Sequence, residues 1–329
     1  MLVTIISAVH SLRMDFIKEY YTSRGYEVEN ITLDKKSVQS WFTQMNISKK
    51  IRKTVINLNP DIVYCEALFD LLIKELGVLK RKNNNMKLIF DVCEYSDSLH
   101  QKYLSQADVL FCSNELYRGY IHGATLLYPI NGQNCVPSSP ELKKDEISFC
   151  IVRNDRVDNY LILSFLRECC SFKTCVLHII GDWKQKDSFI QDVLSVGANV
   201  VDHKELVNQA RMQEVFDQCQ YALNMKKYDG INSESLDYMC GQIPIINSVN
   251  GDLKNLCELW DIGINIDNEN YKQIAKVVCK ENEDVQLKRR NYIRNLYNTY
   301  FTKEIFFETL DKSGGSLCVD KKIKKLLDL

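Results

Sequence analysis

Two acidic residues, Asp229 and Asp237, lie eight positions apart around what the sequence predicts to be a helix start. Asn232 or Ser233 can cap that helix by accepting a backbone N–H, and Gly241 can end it. The free N–H groups and the dipole of an open helix start attract anions. A carboxylate accepts hydrogen bonds from hydroxyl groups. The residues therefore predict an anion site flanked by two carboxylates, although a turn with two solvated aspartates would show the same spacing.

The elements that must position these side chains alternate between short apolar runs and amphipathic stretches. The apolar, β-branched runs predict buried strands, and the stretches with a period near 3.6 predict helices. Strands that alternate with helices argue for parallel sheets covered on both faces. Strands are predicted at residues 2–9, 26–33, 61–65, 87–92, 107–112, 124–128, 147–152, 174–180, 199–201, 221–225, 243–246 and 262–266. Helices are predicted at residues 14–24, 35–59, 68–79, 159–169, 188–195, 212–219, 235–240, 271–278, 285–300 and 303–310, with a charged turn at 80–85.

Proline, glycine and serine cluster near the middle of the chain and mark a domain boundary. Three of the five prolines lie at positions 129, 137 and 140, with Gly132, Ser138 and Ser139 among them. A length of 329 residues suits two domains of ordinary size. We predict a first domain at 1–135, a second at 145–310 and a basic C-terminal tail at 311–329.

Composition excludes several classes of function. The net charge of −1 argues against a general nucleic-acid binder, and no apolar run is long enough for a transmembrane helix. The thirteen cysteines include no Cys-x-x-Cys pair and many lie in apolar runs, which predicts buried reduced thiols and a cytoplasmic protein. The five histidines are scattered, and no Asp-x-Asp, Gly-x-Gly or P-loop motif occurs. We therefore predict no metal site and no dinucleotide cofactor.

The stretch from Asp229 to Ile246 resembles the donor-site signature of retaining glycosyltransferases with the GT-B fold, above all glycosyltransferase family 4. That family has glutamate at both acidic positions and a second glycine where this chain has Asn232. It also has a lysine where this chain has Asn159, six residues after Arg153.

The resemblance extends over about residues 88 to 250. It implies an α/β protein of GT-B type, with two Rossmann-like domains whose parallel sheets face a central cleft. The further segments that carry it are 88–94, 111–115, 129–132, 149–153, 178–182 and 199–203.

Three residues are implied to take part in catalysis. Arg153 and Arg156 would stabilise the charge that develops on a nucleoside diphosphate leaving group, in place of a metal ion. Asp229 would hold hydroxyls of the donor sugar and support positive character at its anomeric carbon. A solvated arginine pair on a turn remains an alternative for Arg153 and Arg156.

Donor binding is implied for the helix start and for two further strand ends. Asp237 would accept the ribose hydroxyls, while Gly230 and the N–H groups of Ile231, Asn232 and Ser233 would lie against the diphosphate. Gly181, Asp182 and His203 would line the base or phosphate site, although a structural role in loops explains Asp182 and His203 equally well. On the acceptor side the resemblance points to His10, Glu94 and Cys93, the last in place of a histidine.

The function implied is retaining, metal-independent transfer of a sugar from a UDP- or GDP-linked donor to a glycan or lipid-linked acceptor, in cell-envelope or capsular polysaccharide synthesis. Basic clusters at 49–53 and 80–82, near Trp41 and Phe42, could hold the protein peripherally on the inner face of the plasma membrane. A solvated helix face is the plainer interpretation of these clusters. Two other functions stay open: a catalytically silent GT-B subunit that binds a partner glycosyltransferase, and a sugar-nucleotide epimerase.

Overall fold

The chain forms two compact units, each built around one six-stranded sheet. The computed structural model describes residues 1–8, 12–34, 40–93, 100–136, 138, 140, 143–152, 157–204, 208–226 and 230–315. The first unit contains Met1–Pro129 and the described residues from Lys303 onward, and the second contains Ile130–Thr302. Every paired strand in both sheets runs parallel to its neighbour, as the alternation of strands and helices predicts.

The first unit has the strand order β2-β1-β3-β4-β5-β6. Its core lies between the sheet and the helices, and the strands that run through its centre are buried on both faces. The elements are β1 (Leu2–Ala8), α1 (Leu12–Ser23), β2 (Glu27–Leu33), α2 (Trp41–Leu58), β3 (Ile62–Glu66), α3 (Asp70–Lys82), β4 (Lys87–Val92), α4 (Gln101–Leu104), β5 (Val109–Cys112), α5 (Glu115–Tyr120) and β6 (Thr125–Leu126).

The second unit has the strand order β12-β11-β10-β7-β8-β9. The chain begins at β7 in the middle, builds outward to β9 and then returns to β10 on the other side. The elements are β7 (Glu146–Val152), α6 (Asn159–Cys170), β8 (Thr174–Ile180), α7 (Lys186–Ser195), β9 (Asn199–Asp202), α8 (Gln209–Asp217), β10 (Tyr221–Asn224), α9 (Ser233–Cys240), β11 (Ile245–Asn247), α10 (Asp252–Trp260), β12 (Gly263–Asn265), α11 (Tyr271–Lys280) and α12 (Glu283–Tyr300).

The last helix, α13 (Lys303–Lys312), belongs to the first unit, whereas the predicted boundary placed residues up to 310 in the second. Phe306 is buried with its ring 6.5 Å from that of Phe16 on α1. The Arg24 guanidinium lies 2.6 Å from the Asp311 carboxylate. The chain thus returns to its first unit through contacts that periodicity within α13 does not reveal.

Several local predictions were wrong. Lys80, Arg81 and Lys82, predicted as part of a charged turn, form the last turn of α3, where cations are favoured by the helix dipole. Helices α4, α5 and α10 were not predicted from the sequence. The first two are too short to show a helical period, and α10 follows its strand after a turn of only a few residues.

Candidate functional site

The candidate site lies at the carboxyl edge of the sheet in the second unit. In an open parallel sheet, ligands bind outside the carboxyl ends of the strands, at the point where the strand order reverses. Here that point lies between β7 and β10, because β7 pairs with β8 on one side and with β10 on the other. Helix α9, which carries Asp237, follows β10 in the chain, so the topology brings Asp237 close to the switch point.

Helix α9 begins as the sequence predicts, with Asn232 as its N-cap. The Asn232 side chain accepts the N–H of Ser235 at 2.8 Å, and the Ser235 hydroxyl accepts the N–H of Asn232 at 3.0 Å. This reciprocal capping box occupies the N–H group of Asn232, which the resemblance assigns to an anion. Among the described residues, the N–H groups of Ile231 and Ser233 have no acceptor. The N–H of Ile231, just before the cap, and the N–H of Ser233, at the first position of α9, are therefore open to a ligand.

Gly230 is fixed in front of α9 by a second loop. Its φ of 90° is a left-handed conformation that favours glycine, and its N–H donates to the Asn250 carbonyl at 3.0 Å. A Cβ on Gly251 would lie 3.4 Å from the Gly230 nitrogen, so the two backbones approach closely. The small residues at 230 and 251 are thus required by backbone conformation and contact.

A ladder of three asparagines supports that second loop. Asn224, Asn247 and Asn265 lie opposite one another on β10, β11 and β12. The Asn224 amide lies 3.2 Å from the Asn247 oxygen, and the Asn247 amide lies 2.9 Å from the Asn265 oxygen. Asn247 also donates to the Val249 carbonyl at 2.8 Å, which ties the loop to the strand ends.

Asp237 lies on the second turn of α9 and is half-buried. Its Oδ1 accepts a hydrogen bond of 3.0 Å from the amide of Asn131. Burial, together with the nearby charge of Glu234, raises the pKa of the Asp237 carboxyl to about 6, although the Asn131 hydrogen bond and the charge of Lys226 oppose this. The group is thus a carboxylate that titrates near neutral pH.

A buried ion pair, Lys226–Glu234, lies beside Asp237 and was missed by the sequence analysis. The Lys226 ammonium lies 2.5 Å from a Glu234 carboxylate oxygen, with side chains 1% and 7% exposed. Lys226 follows β10, and its backbone pairs with that of Val157, which lies just before α6. A charged residue directly after a buried strand was the only sequence signal for it.

Tyr238 joins α9 to the end of β7. Its hydroxyl accepts the N–H of Val152 at 2.7 Å, and the side chain is fully buried. Val152 is the last residue of β7 and directly precedes Arg153 in the chain. The helix that carries Asp237 is therefore fixed to the end of β7, which precedes the predicted Arg153 and Arg156 in the sequence.

The other donor-side predictions lie along the same sheet edge. Gly181 and Asp182 follow β8, with Asp182 exposed, and His203 follows β9. From β10 to β9 there are three strand spacings, about 14 Å in all. The fold therefore aligns these residues with α9 along one edge, although their sequence positions are far apart.

His203 forms a pair with the buried His178, with 2.9 Å between Nδ1 of His178 and Nε2 of His203. Burial, followed by the neighbouring charge of His203, lowers the pKa of His178 to about 4. Burial also lowers the pKa of His203. Both rings are therefore neutral at physiological pH, so one ring N–H can donate a hydrogen bond to the unprotonated nitrogen of the other.

The three predicted catalytic residues, Asp229, Arg153 and Arg156, lie outside the described residues, as do His10 and Glu94 on the acceptor side. Their roles remain predictions.

Cys93 follows β4 in the first unit, and its carbonyl accepts the Ser113 hydroxyl at 2.9 Å. Nearby, the Arg13 guanidinium binds both oxygens of the buried Asp91, at 2.7 and 2.8 Å. This buried, bidentate ion pair was not predicted, because its partners are far apart in sequence.

Within the described part of the chain, no group of three or more His, Cys, Asp or Glu side chains could hold a metal ion. No helix there is long and apolar enough to cross a bilayer.

Known proteins were compared with both the sequence and the structure. The sequence matches no protein-family model, and no curated protein matches it at a significant level.

The structure, by contrast, resembles many solved structures. The lipopolysaccharide outer core galactosyltransferase WaaB, in its apo form, matches with a TM-score of 0.68 and 13% identity over 95% of this chain and 99% of that chain. HepE of Anabaena in complex with UDP matches with a TM-score of 0.67 and 12% identity over 96% of this chain and 100% of that chain. Sucrose-phosphate synthase of Thermosynechococcus elongatus matches with a TM-score of 0.66 and 11% identity over 95% of this chain and 98% of that chain.

These matches, together with two parallel six-stranded sheets and their flanking helices, show that the fold is that of GT-B glycosyltransferases. The predicted fold class is confirmed.

Proposed function

We propose that the protein is a metal-independent, retaining glycosyltransferase that transfers a sugar from a UDP-linked donor to a glycan or lipid-linked acceptor. The observation that carries the proposal is Asp237 on a capped helix at the switch point of a GT-B fold. HepE, which has this fold, binds UDP, and this supports uridine as the base over guanosine. Cell-envelope or capsular polysaccharide synthesis is the process we assign to it.

The chemistry assigns each group to a separate part of the donor. Asp237 accepts the ribose hydroxyls, and the N–H groups of Ile231 and Ser233 lie against the diphosphate. Arg153 and Arg156 neutralise the charge that develops as the glycosidic bond breaks. Asp229 supports positive character at the anomeric carbon, and a donor phosphate oxygen helps to remove the acceptor's proton on the same face.

A thermal-shift screen against UDP, GDP, ADP and CMP and their sugars tests donor binding. A ligand at 100 times its Kd raises the free energy of unfolding by about 2.7 kcal/mol. We expect UDP and a UDP-sugar to raise the Tm, and Asp237→Ala to abolish the effect. A flat response to every nucleotide would contradict the proposal and favour the silent subunit.

Turnover distinguishes the proposal from its two alternatives. A transferase hydrolyses donor slowly and transfers the sugar in the presence of acceptor, and Asp229→Ala abolishes both. An epimerase would release an isomerised sugar from the donor without any acceptor. A silent subunit would bind a partner glycosyltransferase and show no turnover in either assay.

We propose further that the protein is cytoplasmic and binds the inner face of the plasma membrane through α2. Trp41 and Phe42 at the start of this helix are 58% and 71% exposed, and Lys49, Lys50 and Lys53 follow on it. Each lysine near an anionic leaflet contributes about 1 kcal/mol. When vesicles containing anionic lipid are sedimented at low salt, the wild-type protein should pellet with them. The Trp41→Ser/Phe42→Ser double variant should stay in the supernatant. Equal binding to neutral vesicles would contradict the electrostatic part.

A further inference from the structure

The carboxylate of Asp237 is the last acceptor of a hydrogen-bond chain that begins on another helix. The Tyr297 hydroxyl of α12 donates to Oδ1 of Asn131 at 2.6 Å, and Nδ2 of Asn131 donates to Oδ1 of Asp237 at 3.0 Å. Tyr297 is fully buried, whereas Asn131 and Asp237 are half-buried. The chain therefore connects a rigid core side chain to a carboxylate that a ligand can reach.

The chemistry of the groups fixes the direction of this chain. An ionised carboxylate only accepts hydrogen bonds, so the NH₂ group of Asn131 must face Asp237 and its oxygen must face Tyr297. Tyr297 donates its proton to that oxygen, and the Gln133 carbonyl lies 2.9 Å from the same hydroxyl. A hydrogen bond to an ionised acceptor is stronger than one to a neutral acceptor, so the Asn131 amide favours the ionised form of Asp237 and opposes the effect of burial.

The segment that carries Asn131 is held at two further points, by Gln209 at the start of α8 and by Gln242, which follows α9. The Gln209 amide donates to the Asn134 carbonyl at 2.5 Å and to the Cys240 sulfur at 3.3 Å. The Gln242 amide donates to the Val136 carbonyl. Asn134 and Val136 come soon after Asn131 in the chain, and their contacts fix this segment to the carboxyl end of α9. The position of the Asn131 amide beside Asp237 is therefore restricted.

We propose that Asn131 and Tyr297 are positioning residues, which hold Asp237 ionised and in one orientation so that its remaining lone pairs read the ribose 2′- and 3′-hydroxyls of the donor. The inference rests on the proposed function. The other charged or titratable groups near Asp237 are Lys226, Glu234 and Cys240. Lys226 is held by Glu234 at 2.5 Å, so its charge acts on both carboxylates, whereas the Asn131 amide acts on Asp237.

Two independent measurements test the proposal. The first compares the Kd of UDP with that of 2′-deoxy-UDP between pH 5 and 8. Wild type should prefer UDP by about tenfold, the value of one well-formed hydrogen bond, and lose affinity below about pH 6. Asn131→Ala should lose most of that preference, and its affinity should begin to fall at a pH about one unit higher. Tyr297→Phe, which keeps the ring packing, should lie between the two.

The second measurement is a ¹³C NMR titration of the Asp237 carboxyl in the ligand-free protein. Asn131→Ala and Tyr297→Phe should raise its midpoint, because each removes a bond that favours the ionised form. Asn134→Ala is the matched control, since this asparagine lies on the same segment with an exposed side chain. Circular dichroism of each variant establishes that the fold is retained.

The outcomes separate this inference from the proposed function. A wild-type protein that binds no nucleotide overturns the proposed function, and with it the assignment of the ribose hydroxyls to Asp237. An unchanged carboxyl titration in Asn131→Ala and Tyr297→Phe overturns the positioning role, even where UDP binds. A wild-type preference for UDP that persists in Asn131→Ala has the same consequence.

Discussion

The Asp237 carboxylate is expected to destabilise the folded state near neutral pH. Its pKa of about 6 lies above the ordinary 3.8, so the native state binds its proton more tightly than the unfolded chain does. The contribution of this group to the free energy of unfolding is therefore most favourable at low pH and becomes less favourable as the pH rises from about 4 to about 6. Above pH 6 the cost is roughly 1–3 kcal/mol.

Asp237→Asn should consequently be more stable than wild type at pH 7.5 and equal to it at pH 4, while its affinity for UDP falls. Urea unfolding at both pH values measures the first effect and calorimetry the second. A variant that is less stable at both pH values would show that Asp237 has a favourable structural role.

The Lys226–Glu234 pair should behave as one unit. Glu234→Gln removes the carboxylate 2.5 Å from the buried Lys226 ammonium, and Lys226→Met removes that ammonium from the buried Glu234 carboxylate, so each should cost about 3–5 kcal/mol. The double variant should cost far less than the sum, because neither charge is then left alone. A double-mutant cycle in urea measures the coupling, and additive losses would contradict the interaction.

At the scale of elements, the position of α9 depends on the hydroxyl of Tyr238. Tyr238→Phe keeps the ring but leaves the Val152 N–H without its partner at 2.7 Å, which should cost about 1–3 kcal/mol. Since Val152 ends β7 just before Arg153, the affinity for nucleotide should fall as well. Calorimetry with UDP and urea unfolding measure the two effects.

Tyr300→Phe is the matched control, because its ring is 40% exposed at the end of α12. It should change neither measurement. If Tyr238→Phe lowered stability and left nucleotide affinity unchanged, the link between β7 and the donor site would be wrong.

At the scale of the whole molecule, the first unit depends on α13, the last helix in the described part of the chain. Truncation after Thr302 removes the Phe306 and Phe307 rings from α1 and breaks the bonds from Tyr20 and Arg24 to Asp311. Burying one phenylalanine contributes about 1.5–3 kcal/mol, so the first unit should lose several kcal/mol.

Limited proteolysis should therefore cut the truncated protein within residues 1–129 before it cuts the second unit. Truncation after Gly315 is the control, because it keeps all of α13 and the bond from the Tyr21 hydroxyl to the Gly315 carbonyl at 2.7 Å. Equal cleavage of both truncated proteins would contradict the role of α13.

Much of the second unit could be predicted from the sequence. The strand at Thr174–Ile180 and the capped helix after Asn232 follow from apolar runs and from capping chemistry, which act between near neighbours. The first unit was predicted less well at its short helices, since four to six residues show no period.

The sequence by itself determined the alternation of strands and helices, the caps, and the acidic stretch that resembles a donor site, because each depends on residues close together in the chain. Only the tertiary structure decided that Asn131 and Tyr297 meet Asp237, that Lys226 neutralises Glu234, and that α13 returns to the first unit. Most of these contacts join residues distant in sequence, and even the pair Lys226–Glu234, eight positions apart, depends on how α9 packs beside β10. No local pattern records which partner a buried polar group will find.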